Sequence, residues 1–152
     1  MRYALLAIGL VVAAILLAPN AARADGIDDE VAPYVGMRLF GGDGAYLGRL
    51  DCNSLGNSNS EHGSQWSSTS IWDPRGPYGR PYSPLSAYKA SGDHLLPPYF
   101  VDDYGETAVY LTVAQGLTRT ASGAPLDTIS PVVLEAWLSW HCHHPAGYRG
   151  LQ

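Results

Sequence analysis

A repeat dominates the middle of this 152-residue chain: GSQWSSTSIWD at residues 63–73 returns sixteen positions later as GRPYSPLSAYK at residues 79–89. A glycine, an aromatic residue, two serines and a second aromatic residue fall at matching positions of the two copies. A fainter copy begins earlier, where residues 54–57 (SLGN) match residues 70–73 (SIWD). Self-similarity at a fixed period is typical of domains built from repeated structural units.

The composition of the unit predicts turns. Each copy is too short for a pair of helices and too rich in Gly, Pro and Ser for one long helix. Glycine permits sharp turns, and serine hydroxyls cap nearby backbone groups. We expect compact turns that are stacked through their aromatic rings. A disordered linker is the alternative, but disordered segments are poor in aromatic residues.

Strand-like segments flank the repeat. Residues 44–50 and 106–113 each follow a turn rich in Asp and Gly and run into β-branched or aromatic residues, which is typical of strands. We expect them to pair or to lie in one small sheet. Residues 95–101 lead into the second segment and should be extended, because residues before proline avoid the α region.

A helix is predicted at residues 131–142. Ser130 is a suitable N-cap and Pro131 a suitable first helical residue. An apolar stripe at three- and four-residue spacing follows, made of Val133, Leu134, Trp137, Leu138 and His141. The predicted fold class is mainly β and irregular, with a turn-rich repeat region on a small antiparallel sheet and one C-terminal α-helix. An α+β fold is the alternative.

The N-terminus has the pattern of a secretory signal. Arg2 precedes an apolar run at residues 3–18, and Ala22-Arg23-Ala24 places small side chains at the positions that a signal peptidase reads. The alternative, an uncleaved anchor, is disfavoured because a spanning helix needs about 20 apolar residues. The predicted boundaries are a signal peptide at 1–24, a lead-in at 25–42, a single domain at 43–144 and a flexible tail at 145–152.

Charge and cysteines restrict the partners and the location. Without Arg2 and Arg23 the mature chain keeps seven basic against 14 acidic residues, a formal charge of −7, which disfavours nucleic acid and anionic membranes as partners. No stable membrane anchor is expected after cleavage, and the location is predicted to be periplasmic or secreted. In such an oxidising compartment Cys52 and Cys142 most simply pair, the alternative being two free thiols.

Several of these features together resemble a family of small exported bacterial proteins of uncharacterised function, whose YGS-x-YS-x-x-S repeats lie between G-x-L-G-x-L strands. The resemblance covers roughly residues 43–113 and rests on the residues of 46–50 (YLGRL), the repeats, Pro97-Pro98 and 110–112 (YLT). It implies export and a repeat-built domain, but no catalytic residues. Asp73 and Lys89 stand where asparagine is usual in the family.

Two sets of side chains are candidate binding sites. A platform for sugar rings or a peptide is suggested by the aromatic residues of the repeat, although they also suit a core: Trp66, Trp72, Tyr78, Tyr82 and Tyr88. A second set, His141, His143 and His144 around Cys142, has metal-binding side chains without the usual ligand spacing. No cofactor is predicted.

The sequence contains no recognisable catalytic motif. Ser86-Ala87-Tyr88-Lys89 matches the Ser-x-x-Lys pattern of penicillin-recognising enzymes, but their S-D-N and K-T-G elements are missing from the chain. We therefore predict an exported, non-catalytic module that is structural or interacts with an envelope or extracellular component. A carbohydrate- or cell-wall-binding module that uses the repeat aromatics is the alternative, and a periplasmic metal-binding protein is the second alternative.

Overall fold

A computed structural model of the chain describes residues 21–92, 94–114 and 127–142. A helix and a 3₁₀ turn come first, three short strands and a longer one follow, and a two-residue strand leads into the last helix. In chain order the elements are α1 (Ala21–Val31), the 3₁₀ turn (Ala32–Tyr34), β1 (Arg38–Phe40), β2 (Tyr46–Arg49), β3 (Tyr99–Val101), β4 (Thr107–Leu111), β5 (Thr128–Ile129) and α2 (Pro131–His141).

The five strands form one mixed sheet in the order β2-β1-β3-β4-β5. The first four pair antiparallel, whereas β5 runs parallel to β4. The predicted fold class is confirmed, although the sheet is not purely antiparallel. The two strands predicted from the sequence correspond to β2 and β4, and they lie in one sheet without pairing, because β1 and β3 separate them.

Two strands are not evident in the sequence. β1 lies between β2 and β3 within the stretch assigned to a lead-in, so this stretch is an integral part of the sheet. β5 has only two residues, Thr128 and Ile129, which is too short for any periodic pattern to reveal. Both strands are held by pairing with neighbours, and β1 pairs on one side with a strand that is distant in sequence.

The C-terminal helix begins as predicted and ends at His141, one residue before the predicted end. Ser130 has extended backbone angles, and its side chain accepts a hydrogen bond from the backbone N–H of Val132, while Pro131 is the first helical residue. Leu134 and Leu138 are fully buried. The indole Nε1 of Trp137 donates to Asp28 at 2.9 Å, which joins α2 to α1.

Residues 51–91, the turn region, form a chain of consecutive β-turns. In steps of mostly three residues, the backbone N–H of one residue donates to the carbonyl of the residue that began the turn. Thus Ser67 donates to Ser64, Ser70 to Ser67 and Asp73 to Ser70. The same bonds recur sixteen residues later, where the donors are Ser83, Ser86 and Lys89.

Side-chain oxygens cap these turns. Ser64, Ser70 and Ser86 each accept, through Oγ, a hydrogen bond from the backbone N–H two residues further on, at 3.1–3.2 Å. Asp73 does the same with its carboxylate at 2.9 Å. Short polar side chains therefore satisfy backbone groups that a helix or a sheet would otherwise pair.

Positions sixteen residues apart have similar surroundings in the turn region. Leu55, Ile71 and Ala87 are all fully buried. Gly63 lies against the backbone carbonyl of Asn57, and Gly79 lies against that of Asp73, in each case six residues earlier. A Cβ added at either glycine would overlap this carbonyl. The glycines therefore allow close approach of the backbone at the same point of each unit.

One hydrophobic core unites the turn region, the sheet and the helices. The sheet contributes fully buried side chains from one of its faces, such as Leu39 and Phe100, and the turn region contributes Ile71. The side chains next to them in the strands point to the opposite face, because successive residues of a strand alternate. Phe40 and Tyr99 lie on this second face and are only half-buried.

The predicted disulfide is formed. Cys52, at the start of the turn region, is bonded to Cys142, which directly follows α2. The bond closes 90 positions of sequence and ties the last helix to the turns. Within the described residues, no helix is long and apolar enough to cross a membrane.

Ser70→Ala should lower the free energy of unfolding by about 1–3 kcal/mol, because a part-buried backbone carbonyl and a buried N–H both lose a hydrogen bond. Ser70 Oγ donates to the carbonyl of His62 at 2.8 Å and accepts from the N–H of Trp72. Ser64 forms the same cap in an exposed turn, so Ser64→Ala should cost about 0.5 kcal/mol or less. Urea denaturation followed by tryptophan fluorescence measures both, and equal losses would contradict the role of burial.

Replacing both cysteines by serine should lower the free energy of unfolding by about 2–5 kcal/mol, since the bridge restricts a long loop in the unfolded chain. Guanidinium denaturation measures the loss. Dithiothreitol should shift the midpoint of the wild-type protein to that of the double variant and leave the variant unchanged. A double variant with the wild-type midpoint would rule out a stabilising bridge.

Candidate functional site

The five aromatic residues predicted to form a platform do not share one surface. Trp72 and Tyr78 are buried, with 2% and 6% of their surface exposed, and Tyr88 is partly buried against the core. Trp66 and Tyr82 are 71% and 88% exposed. The five rings therefore do not form one platform. Of the five, only Trp66 and Tyr82 are exposed enough to contact a ligand.

Polar groups of the two buried rings explain why they can lie inside. The Trp72 indole Nε1 donates to the carbonyl of Leu55 at 3.1 Å, which links one sixteen-residue unit to the one before it. The Tyr78 hydroxyl donates to the Asp43 carboxylate at 2.8 Å. Buried Trp and Tyr side chains need such partners. Asp43 lies in the turn between β1 and β2, so Tyr78 fixes the turn region to the sheet.

The C-terminal histidine cluster is only partly described. His141 Nδ1 lies 3.0 Å from the carbonyl of Trp137, and its Nε2 lies 3.1 Å from the carboxylate of Asp28. Both ring nitrogens therefore contact protein groups, and Cys142 is in the disulfide. His143 and His144 lie outside the described residues. Within the described ranges, no three His, Cys, Asp or Glu side chains come together as a metal site would require.

The most distinctive surface is a line of four aromatic rings across the second face of the sheet. Tyr46, Phe40, Tyr99 and Tyr110 stand on β2, β1, β3 and β4, and each is the register partner of the next. Their ring centroids are 5.6, 6.3 and 6.0 Å apart, within the range of favourable aromatic pairs. We call these four residues the ring row. At its Tyr46 end, His62 of the turn region adds an edge-on contact at 5.0 Å.

Two arginines lie beside the ring row. Arg38 and Arg49 are register partners on β1 and β2, so their side chains lie on the same face. Arg38 is two residues from Phe40 in the ring row, and a register shift between Leu39 and Phe40 places Arg49 three residues from Tyr46. We call Arg38 and Arg49 the arginine pair. The Arg38 guanidinium lies 5.9 Å from the centroid of the Phe40 ring and donates to the carbonyl of Asp102 at 3.3 Å.

Three residues of the ring row, Phe40, Tyr99 and Tyr110, border an open cleft of about 630 Å³ together with Arg38. Its floor is formed by strand side chains, and the glycines of two turns, Gly44 and Gly105, stand at its ends. Both glycines have positive φ, 83° and 86°, which gives tight turns with no side chain over the cleft. The cleft is shallow and combines ring surfaces, tyrosine hydroxyls and a cation, which suits binding of a polar ligand with apolar faces.

Sequence reasoning missed the ring row for a physical reason. The strand pattern of β2 and β4 does place Tyr46 and Tyr110 outside the core, because their neighbours Leu47 and Leu111 are buried. Only the sheet order, however, shows that Phe40 and Tyr99 lie between them. The aromatic residues of the repeat stand out because they recur at a fixed spacing. The four residues of the ring row occur singly, in separate segments, and no pattern in the sequence connects them.

Comparison of the chain with known protein families, with curated proteins and with solved structures finds no match. The resemblance to small exported repeat proteins therefore stays a prediction. The chemistry of the described residues is then the basis on which a function can be proposed.

The Asp43–Tyr78 contact predicts a specific pH dependence. Burial raises the pKa of Tyr78 to about 12 from the ordinary 10, and the hydrogen bond to Asp43 and the charge of that carboxylate add to the shift. A raised folded-state pKa means that the neutral phenol stabilises the fold fully below pH 10, and that this contribution is lost as the pH rises through about 12.

Tyr78→Phe should therefore be less stable than the wild type at about pH 8, and the difference should shrink as the pH rises from 10 towards about 12. Urea denaturation at a series of pH values measures the two stabilities. Tyr82→Phe is the matched control, since Tyr82 is 88% exposed and its difference from the wild type should stay near zero throughout. A difference for Tyr78→Phe that is independent of pH would contradict the shift.

Proposed function

We propose that the chain is an exported, non-catalytic module that binds a component of the cell envelope or the extracellular space through the ring row. The observation that carries the proposal is the alignment of Tyr46, Phe40, Tyr99 and Tyr110 across four paired strands. The last three of these rings border an open cleft. Aromatic side chains supply large contact areas, and tyrosine adds a hydroxyl for hydrogen bonds.

The placement of the rings favours recognition over mere packing. Phe40, Tyr99 and Tyr110 are half-buried by their neighbours, so their rotamers are restricted before any ligand arrives. Binding then costs little side-chain entropy. Side chains on a paired sheet are also held more precisely than side chains on loops.

Export is supported by the N-terminal sequence pattern and by the Cys52–Cys142 bond, since disulfides persist in oxidising compartments. The predicted cleavage point lies between Ala24 and Asp25, within α1. Among the described side chains of α1, those of Ile27, Asp28 and Val31 contact the rest of the chain, and all three follow this point. A mature chain that begins at Asp25 would keep them.

The non-catalytic character is supported by the surroundings of the Ser-x-x-Lys serine. Ser86 is 1% exposed, and its Oγ accepts a hydrogen bond from the backbone N–H of Tyr88. The hydroxyl thus has the same turn-capping role as that of Ser70, sixteen residues earlier. A nucleophile needs access to a substrate and a neighbouring base.

The exposed rings of the turn region favour a second candidate, glycan binding by the repeat. Trp66 and Tyr82 occupy equivalent positions of two successive units and both lie in solvent. The Arg75 guanidinium lies 5.0 Å from the Trp66 ring centroid and already covers part of one face. Two rings offer less aligned surface than the ring row, so we rank this candidate second.

Variants distinguish the two surfaces. Purified mature protein should be retained by a cell-wall fraction or by glycans on an array. Tyr99→Ala should reduce this retention about tenfold or more, because Tyr99 contacts a neighbour in the ring row on each side. Tyr46→Ala, which removes the most exposed ring of the row, should give a smaller loss with little effect on stability.

Trp66→Ala should retain wild-type binding if the ring row is the site. Loss of binding in Trp66→Ala with normal binding in Tyr99→Ala would move the site to the turn region. Thermal unfolding of each variant controls for folding. Equal retention of all variants would contradict both surfaces.

A further inference from the structure

The arginine pair has no carboxylate partner in the described part of the chain. The ion pairs found there join Arg75 to Asp73 and His141 to Asp28, both away from this face. The Arg38 guanidinium contacts the Phe40 ring and the neutral backbone carbonyl of Asp102, and Arg49 is exposed. The mature chain as a whole is predicted to be acidic, with a formal charge of −7, but none of the described carboxylates forms an ion pair with either of these two cations, so the arginine pair is a local site of positive charge.

Two like charges on directly opposite residues of paired strands are unfavourable. Arg38 and Arg49 are such opposite residues, on the face that carries the ring row. An anionic ligand would relieve this repulsion. Guanidinium groups bind carboxylates through two parallel hydrogen bonds, and this planar geometry distinguishes them from lysine. The chain has a single lysine, Lys89, which lies in the turn region.

We propose that the ligand of this face is a carboxylate-bearing polysaccharide, whose sugar rings lie along the ring row while its carboxylates contact the arginine pair. The inference rests on the proposed function and specifies the ligand class for the same site. The ring centroids are 5.6–6.3 Å apart along the row, so the ring row repeats its aromatic contact at a short and nearly regular interval. A polymer of sugar rings with regularly placed acid groups matches that repetition.

A peptide fits this face less well. Extended peptides are usually held by the free edge of a sheet, which supplies backbone hydrogen bonds, and by pockets for alternate side chains. The ring row crosses paired strands instead, where the backbone groups of β1 and β3 are already bonded on both sides. The cleft is open, with turns at its ends, and three of the four residues of the ring row carry hydroxyls that sugars can use.

Polygalacturonate is a suitable probe, because its methyl ester has the same backbone without the charge. We expect the mature protein to bind polygalacturonate in isothermal titration, and to bind the fully methyl-esterified polymer about tenfold more weakly or worse. A charge-assisted hydrogen bond contributes enough for a loss of that size. Dextran sulfate in the same assay separates a preference for carboxylates from attraction by any polyanion.

Arg49→Gln should weaken binding of polygalacturonate about tenfold or more and should leave binding of the ester unchanged. Arg49 is exposed, so the substitution leaves the core intact. Arg80→Gln is the matched control, since it removes the same charge from an exposed position in the turn region and should change the affinity less than about twofold. Arg38→Lys, which keeps the charge but not the fork, should lose affinity as well.

The outcomes separate this inference from the proposed function. Equal binding of the acid and its ester, both weakened by Tyr99→Ala, would overturn the acidic ligand and keep the ring row as a binding site. Equal effects of Arg49→Gln and Arg80→Gln, or tighter binding of dextran sulfate, would also overturn it. If Tyr99→Ala binds both the acid and the ester as tightly as the wild type does, the proposed function itself is overturned.

Discussion

The structure depends on how the turn region satisfies its backbone without strands or helices. About forty residues run through consecutive turns, and buried N–H and C=O groups in such a segment need partners. The carbonyl-to-N–H bond of each turn supplies one partner, and a serine or aspartate oxygen at the first position supplies another, as at Ser70 and Asp73. Because each capping residue both closes one turn and opens the next, the chain advances in short, regular steps. That regularity brings the apolar residue after the serine inward in successive units, as Ile71 and Ala87.

Many of the structural elements can be predicted from the sequence, because interactions between residues close in the chain determine them. Ser130 and Pro131 define the start of α2 by capping and by a fixed φ angle, and both act within a single turn. The turn region is predictable for the same reason, since its hydrogen bonds mostly join residues two to four apart. The pairing of Cys52 with Cys142 is a prediction of a different kind, which depends on the number of cysteines rather than on geometry.

The other structural features cannot be predicted from the sequence, because they depend on contacts between segments that are distant in the chain. β1 has three residues and becomes a strand by pairing with β2 on one side and β3 on the other. The direction of each aromatic side chain is equally hidden. Trp72 lies inside because the Leu55 carbonyl accepts its indole proton, whereas Trp66, which opens the same unit, lies in solvent. The sequence pattern gives no sign of this difference in burial between two tryptophans of one unit. It follows from the contacts that each makes in the folded chain.

The two faces of the sheet explain why the proposed binding surface is distinct from the aromatic residues of the repeat. The core face uses Leu39 and Phe100 to hold the turn region and the helices, so the strands are fixed from one side. Once the backbone is fixed, side chains of the other face cannot adjust independently, and Phe40 and Tyr99 must stand at strand spacing. The turn region therefore supports the proposed site through the rigidity that it gives to the sheet, and through His62, which contacts Tyr46 of the ring row. Selection on the ring row and the arginine pair would then be free of the constraints that the buried serines impose on the repeat.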